Sequence, residues 1–242
     1  MIIIKGIFLN IRGKSHIKSE TPCQDKYFYL SRNGIAAVAL CDGAGSRELS
    51  HFGAEAVSRT VCELLCDDIR VSKEYMHLCI IEKLEELGEN VGDFACTLLY
   101  VAYNEDDFVA GHIGDGVMGI YREDYELLSS PHNGLYKNET FFVTDSDALD
   151  NFRTYEGYMD DVNGFVLMTD GLADSLFNST TNELSRSLKG LSDLIITEGE
   201  KEASETFEQT VKTHIVPRTT DDISGIIILK WGCDKMHRPH KA

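Results

Sequence analysis

The sequence predicts an α+β fold in which helix pairs cover the outer faces of packed sheets. Three observations carry this. Short apolar runs bounded by turn residues, such as IAAVALC at 35–41 and GFVLMT at 164–169, read as buried strands. Two separate stretches show paired stripes of apolar residues at helical spacing. The order runs strands, two helices, strands, two helices, strand, without the strict alternation that a doubly wound parallel sheet needs.

Taken in order, Ile2–Ile11 and Tyr27–Leu30 read as strands separated by a polar loop containing Pro22. Ile35–Cys41 is bounded by Asn33-Gly34 and Asp42-Gly43, as a buried strand should be. From Leu49 to Arg70 the pattern is helical, with Val57, Val61, Leu64 and Leu65 on one face. A second helix over Lys73–Leu87 carries Met76, Ile80, Leu84 and Leu87, and Gly88 is its stop. Strands return at Ala95–Tyr103, Phe108–Ile113 and Val117–Tyr121. Ser129–Val162 is acidic and broken by Pro131, Gly134 and Gly157; it reads as one strand around Thr140–Val143 plus loops, and is where substrate selectivity is expected. Gly164–Thr169 is a further strand. Leu184, Leu188, Leu191 and Ile195 stripe one helix, and Ala203, Phe207 and Val211 the next. Ile223–Trp231 is the last strand. The reading is one domain over 1–232 and a loosely held tail over 233–242, basic from Lys235.

Composition bounds the function. A chain of 242 residues, 43% hydrophobic, suits one sizeable core. Its net charge of -17 argues against nucleic acid and anionic membranes, which need basic partners, and suits cation binding. Seven cysteines, an odd number set largely in apolar runs, read as reduced thiols of a cytoplasmic protein rather than a disulfide framework, and no C-x-x-C pair suggests zinc. The N-terminus lacks the features of a signal peptide, and no stretch approaches the roughly 18 apolar residues of a membrane span. The glycosylation-like triplets at Asn138 and Asn178 are therefore without consequence.

One local event recurs. Three apolar strands end in Asp-Gly, at Asp42-Gly43, Asp115-Gly116 and Asp170-Gly171, and Asp221-Asp222 immediately precedes the final strand. A single Asp-Gly reads first as a turn. An aspartate at a strand edge is also held rigidly while reaching a cleft, and the glycine permits close backbone approach. Three such sites and Asp221 together suit hard divalent cations, which prefer oxygen ligands and would relieve the mutual repulsion of the carboxylates.

These segments resemble, in order, the motifs of the metal-dependent PP2C-type (PPM) serine/threonine protein phosphatases, in their bacterial-type branch. SHIKSETPCQDKYFY resembles the first acidic motif through Gln24-Asp25, and VALCDGAGSRELSHFGAEAV the aspartate-glycine motif and its helix. ACTLLYVAY and HIGDGVMGIY resemble the central strand and the following Gly-Asp motif; FVLMTDGLADSL and TTDDISGIIIL resemble the two late motifs. The resemblance runs from about Gly6 to Trp231. It implies a four-layer αββα sandwich, with a central antiparallel β-sandwich flanked by helix pairs. It also implies two Mn²⁺ or Mg²⁺ ions, with a third in bacterial members. Asp42 would bridge two ions with Gly43 offering its carbonyl. Asp170 and Asp221 would complete the first ion, Asp25 would belong to the metal–water shell, and Asp115 would hold the third ion. The implied activity is hydrolysis of phosphoserine and phosphothreonine in proteins by a metal-activated water attacking in line, with Asp42 and Asp25 as the catalytic carboxylates. Implied partners are phosphoprotein substrates, among them Ser/Thr kinases or their targets, and the enzyme is expected to be a cytoplasmic monomer in signalling.

The sequence departs from the pattern at three points. Gln24 stands where many members carry Glu. The usual phosphate-binding Arg is absent, its position being Glu20, which leaves His16 and Lys14 as the nearest candidates for phosphate contact. Ala44 replaces a His that some eukaryotic members use as a proposed acid. Two rivals stand beside the metal reading. CDGAGSR, Cys41 to Arg47, fits the C-x5-R loop of cysteine phosphatases, but Asp42 would sit in the anion cradle, where a carboxylate disfavours both thiolate and phosphate. The other rival is a catalytically silent PP2C-like regulator that binds phosphoprotein.

Overall fold

The computed structural model describes residues 3–133 and 140–231. Two five-stranded antiparallel sheets pack face to face. The first contains β1 (Ile3–Ile11), β6 (Val117–Tyr121), β7 (Tyr125–Ser129), β9 (Gly164–Met168) and β12 (Ile223–Trp231), in the order β1-β12-β9-β6-β7. The second contains β2 (Lys26–Arg32), β3 (Ile35–Cys41), β4 (Leu98–Tyr103), β5 (Asp107–Ile113) and β8 (Arg153–Tyr158), in the order β2-β3-β4-β5-β8. Helices α2 (Ser50–Asp67) and α3 (Lys73–Glu85) cover the second sheet, and α6 (Ser187–Thr197) and α7 (Glu200–His214) cover the first. The four layers match the αββα expectation.

Side-chain alternation explains why the central strands read as unbroken apolar runs. In β3, Ala36, Val38 and Leu40, together with Leu99 and Val101 of the neighbouring β4, face the other sheet, where they meet Met118, Phe165, Leu167, Ile226 and Ile228. Ala37, Ala39 and Cys41 face the opposite way, against Ala54, Val57, Val61 and Leu65 of α2 and Met76, Ile80 and Leu84 of α3. Both faces are buried, so neither can be polar. On the far side Val166, Ile227 and Leu229 meet Leu188 and Ile195 of α6 and Ala203, Phe207 and Val211 of α7.

The structure corrects several local expectations. The N-terminal polar loop contains a short helix, α1 (Lys14–Ser19), because Arg12 Nη2 donates to the His16 carbonyl at 2.7 Å and Ser15 binds Thr220. Tyr125–Ser129 forms a strand, β7, in a stretch whose sequence predicts none. No strand spans Thr140–Val143, which contributes only an isolated bridge from Thr140 to Asn133; the strand of that stretch is β8, paired with β5. Leu87 is exposed beyond α3, and Leu184 lies in a two-residue strand, β11 (Glu183–Leu184), rather than in a helix. The expected tail over 233–242, Cys233 and Asn138 lie outside the described residues.

One packing detail gives a test. Gly53, inside α2, lies so close to the turn at Val91–Phe94 that a Cβ would overlap the Phe94 backbone carbonyl. Helix propensity favours Ala over Gly by about 1 kcal/mol. Here the collision is with backbone, so Gly53→Ala is expected to destabilise by about 1–3 kcal/mol. The midpoint of urea unfolding would fall; an unchanged or raised midpoint would contradict the packing.

Candidate metal centre

The Asp-Gly ends of β3, β5 and β9 meet at one edge of the sandwich. Asp42 follows β3 and is fixed through its backbone: its N–H donates to Thr97 Oγ1 at 3.0 Å, and its carbonyl accepts the Thr97 N–H at 2.8 Å. Gly43 bridges to Cys96, and a Cβ there would press on Ser50 Oγ at 2.7 Å and the Gln24 carbonyl at 2.9 Å. Only glycine lets the start of α2 and the loop at Gln24 approach so closely. Asp115 is carried by Gly114, whose φ of 112° lies in the region glycine favours. Asp170 opens α5 (Asp170–Leu176), and its Oδ1 accepts the Gly171 N–H at 2.7 Å.

Carboxylate oxygens of Asp42, Asp115 and Asp170, all half-buried, lie within 4.8 Å of one another. Two come from the second sheet and one from the first, so the cluster spans the sandwich. Thr140 Oγ1 donates to Asp115 Oδ2 at 2.5 Å. Asp25 is buried beneath the cluster. Its Oδ2 accepts from Thr169 Oγ1 at 2.9 Å, while Oδ1 has no hydrogen-bond partner among the described residues. Gln24 donates through Nε2 to the Arg47 carbonyl at 2.8 Å and leaves Oε1 buried and unpartnered.

Crowding shows in the acidities. Burial, then the charges of Asp25, Asp170, Asp221 and Asp115, push the Asp42 carboxyl well above the usual range. Burial and Asp222 raise Asp25 to about 7; burial, Asp115 and Asp221 raise Asp170 to about 7. Asp221 is also raised, first by the protein packed around its carboxyl, although the residue as a whole is exposed. Oxygen donors that destabilise one another's ionised forms, with orphaned buried oxygens beside them, fit a hard divalent cation.

Sequence reasoning did not single out Asp222. This residue is 2% exposed, and its carboxylate accepts the Gly13 N–H at 2.6 Å, the Gln24 N–H at 2.6 Å and His16 Nδ1 at 2.9 Å. The signal was available: the even-numbered positions of the last strand, Ile226 and Ile228, face the other sheet, and Asp222 and Ser224 share their parity. Of the two candidates for phosphate contact, His16 is thus tied to the cluster through Asp222, whereas Lys14 starts α1 and is exposed. Cys41 points into the core against α2, fully buried, and burial followed by its neighbours Cys96, Cys62 and Asp42 pushes its thiol far up. Arg47 is turned toward Asp93, 3.9 Å away. The C-x5-R reading therefore has neither a thiolate nor an anion cradle.

Fold and site define a layered α+β protein with a cluster of carboxylates, a candidate cation site, at the edge of its sandwich. The family model for Protein phosphatase 2C matches residues 12–211. Serine/threonine-protein phosphatase 3 of Escherichia coli K12 is 31% identical over 169 residues, covering 62% of this chain and 66% of that one. A bacterial serine phosphatase crystal structure superposes with a TM-score of 0.68 at 14% identity, covering 95% of this chain and 99% of that chain. The serine/threonine phosphatase Stp1 of Staphylococcus aureus gives 0.65 at 13% identity, covering 95% and 96%. The chain belongs to the protein phosphatase 2C family, which is metal-dependent.

Proposed function

We propose that the protein hydrolyses phosphoserine and phosphothreonine in proteins, using Mn²⁺ or Mg²⁺ at the aspartate cluster. The observation that carries this is the convergence of Asp42, Asp115 and Asp170 within 4.8 Å, from strands of both sheets. Asp42 and the Gly43 carbonyl would serve two ions, Asp170 and Asp221 the first, and Asp115 a third, with Asp25 in the surrounding water shell. Such ions supply Lewis-acid charge and make water a nucleophile at neutral pH. Asp25, fixed by Thr169, would orient water beneath the cluster. Lys14 would bring positive charge and His16 a hydrogen-bonding ring to the rim, where the phosphoryl group would arrive. Substrates would be phosphoproteins, including Ser/Thr kinases or their targets, met by a monomer in the cytoplasm. The six described cysteines are all free thiols, which agrees with a reducing compartment.

The test is hydrolysis of an aryl phosphate and a phosphoserine peptide with and without divalent cation. Activity is expected to need Mn²⁺ or Mg²⁺, to vanish with chelator and to survive thiol alkylation. Activity that survives chelation and dies on alkylation would return the cysteine mechanism. A folded protein silent with every divalent ion would favour the regulator reading, which Gln24 and the missing arginine keep in view.

A further inference from the structure

The Asp222–His16 pair stands outside the set of residues proposed to hold the cations. Nδ1 of His16 faces Asp222 Oδ2 at 2.9 Å, and the same carboxylate is locked by two backbone N–H groups, from Gly13 and Gln24. A carboxylate accepts, so Nδ1 carries the hydrogen, and the ring is fixed in orientation with Nε2 as its second proton site. The imidazole is 13% exposed, so it is reachable without being loose. Its place is set by covalent neighbours: Asp222 adjoins Asp221, and Gln24 adjoins Asp25. The ring's ion-pair partner is Asp222, while the Arg12 guanidinium is engaged by the His16 carbonyl. The segment that carries the ring packs on the main chain of Asp221, a proposed cation ligand, and a histidine oriented by a buried carboxylate at such a place is the arrangement that general acid catalysis uses.

Resting on the phosphatase reading, we propose that His16 is a catalytic residue that protonates the seryl or threonyl oxygen as it leaves phosphorus, and that Asp222 is its positioning residue. Water gives one proton to solvent and attacks phosphorus opposite the leaving oxygen, carrying its other hydrogen into the product hydrogen phosphate. The P–O ester bond breaks and its electron pair passes to the side-chain oxygen, which takes the Nε2 proton. The imidazole keeps its Nδ1–H on Asp222 and regains the Nε2 proton from solvent. An alkoxide is a poor leaving group and needs that proton; a nitrophenolate leaves without it.

The experiment compares kcat of the wild type, His16→Gln and Asp222→Asn on a phosphoserine peptide and on p-nitrophenyl phosphate, both with Mn²⁺. His16→Gln is expected to lose about 10²–10³-fold on the peptide and under about tenfold on the aryl ester. Asp222→Asn should show the same skew; because it also receives backbone N–H groups, it is read only if its thermal unfolding stays cooperative, and His16→Gln decides alone otherwise. Equal losses on both substrates, or a change confined to KM, would overturn proton donation and leave the phosphatase reading standing. A wild type inactive on both would overturn that reading and this inference together.

Discussion

Asp42→Asn is expected to lower kcat by about 10³-fold or more while leaving the fold intact. The reasoning separates the side chain from the backbone at this position. The Asp42 main chain is held by the two hydrogen bonds to Thr97, and neither uses the carboxylate. The carboxylate instead faces Asp25, Asp170, Asp221 and Asp115, and is the most crowded of the set. Removing its charge would take away the proposed central cation ligand and, in the ion-free protein, relieve repulsion. The variant should therefore lose turnover and divalent-ion binding together, yet unfold at an equal or higher temperature than the ion-free wild type. Each kcal/mol gained would appear as about 2–4 °C in a chain of this size. Isothermal titration with Mn²⁺ and a thermal melt in chelator read the two halves. Near-normal turnover would sink the metal assignment; a collapsed melt would show that the side chain is structural.

Much of this was legible in the sequence because burial on two faces leaves no ambiguity. IAAVALC and GFVLMT cannot be amphipathic helices, and each ends in the aspartate that matters. The helix stripes of α2, α3 and α7 were legible for the same reason: Val57, Met76 and Phe207 sit where the spacing put them. What escaped depended on contacts distant in sequence. Helix α1 has six residues, five polar or charged and one apolar, Ile17, and is held by Arg12 and Thr220 rather than by its own pattern. β8 alternates half-buried and exposed residues at a sheet edge, which gives a weak signal. Asp222 was visible as half of an acidic pair, but choosing the inward member required applying strand parity back past Ile223. Thr140 could not be linked to Asp115 by any local rule, since 25 residues separate them.

The last prediction follows from the same crowding and concerns stability rather than turnover. Asp25 and Asp170 have folded-state values raised to about 7, above the ordinary 3.8. The folded, ion-free protein thus holds protons that the unfolded chain has already released, and stability falls with pH wherever the folded state binds more protons. The contribution of these two groups is fully present below about pH 4 and is lost as pH climbs through about 7. Divalent cations neutralise the carboxylates that protons no longer cover, so ion and proton compete for one cluster. Adding Mn²⁺ or Mg²⁺ should therefore raise the melting temperature much more at pH 8 than at pH 5, and Asp42→Asn should abolish most of that difference. Calorimetric melts at the two pH values, with cation and with chelator, measure it. Equal increments at both pH values would mean that the ions bind elsewhere on this acidic surface, and a melting temperature in chelator that rises from pH 5 to pH 8 would show that the carboxylates are not crowded as described.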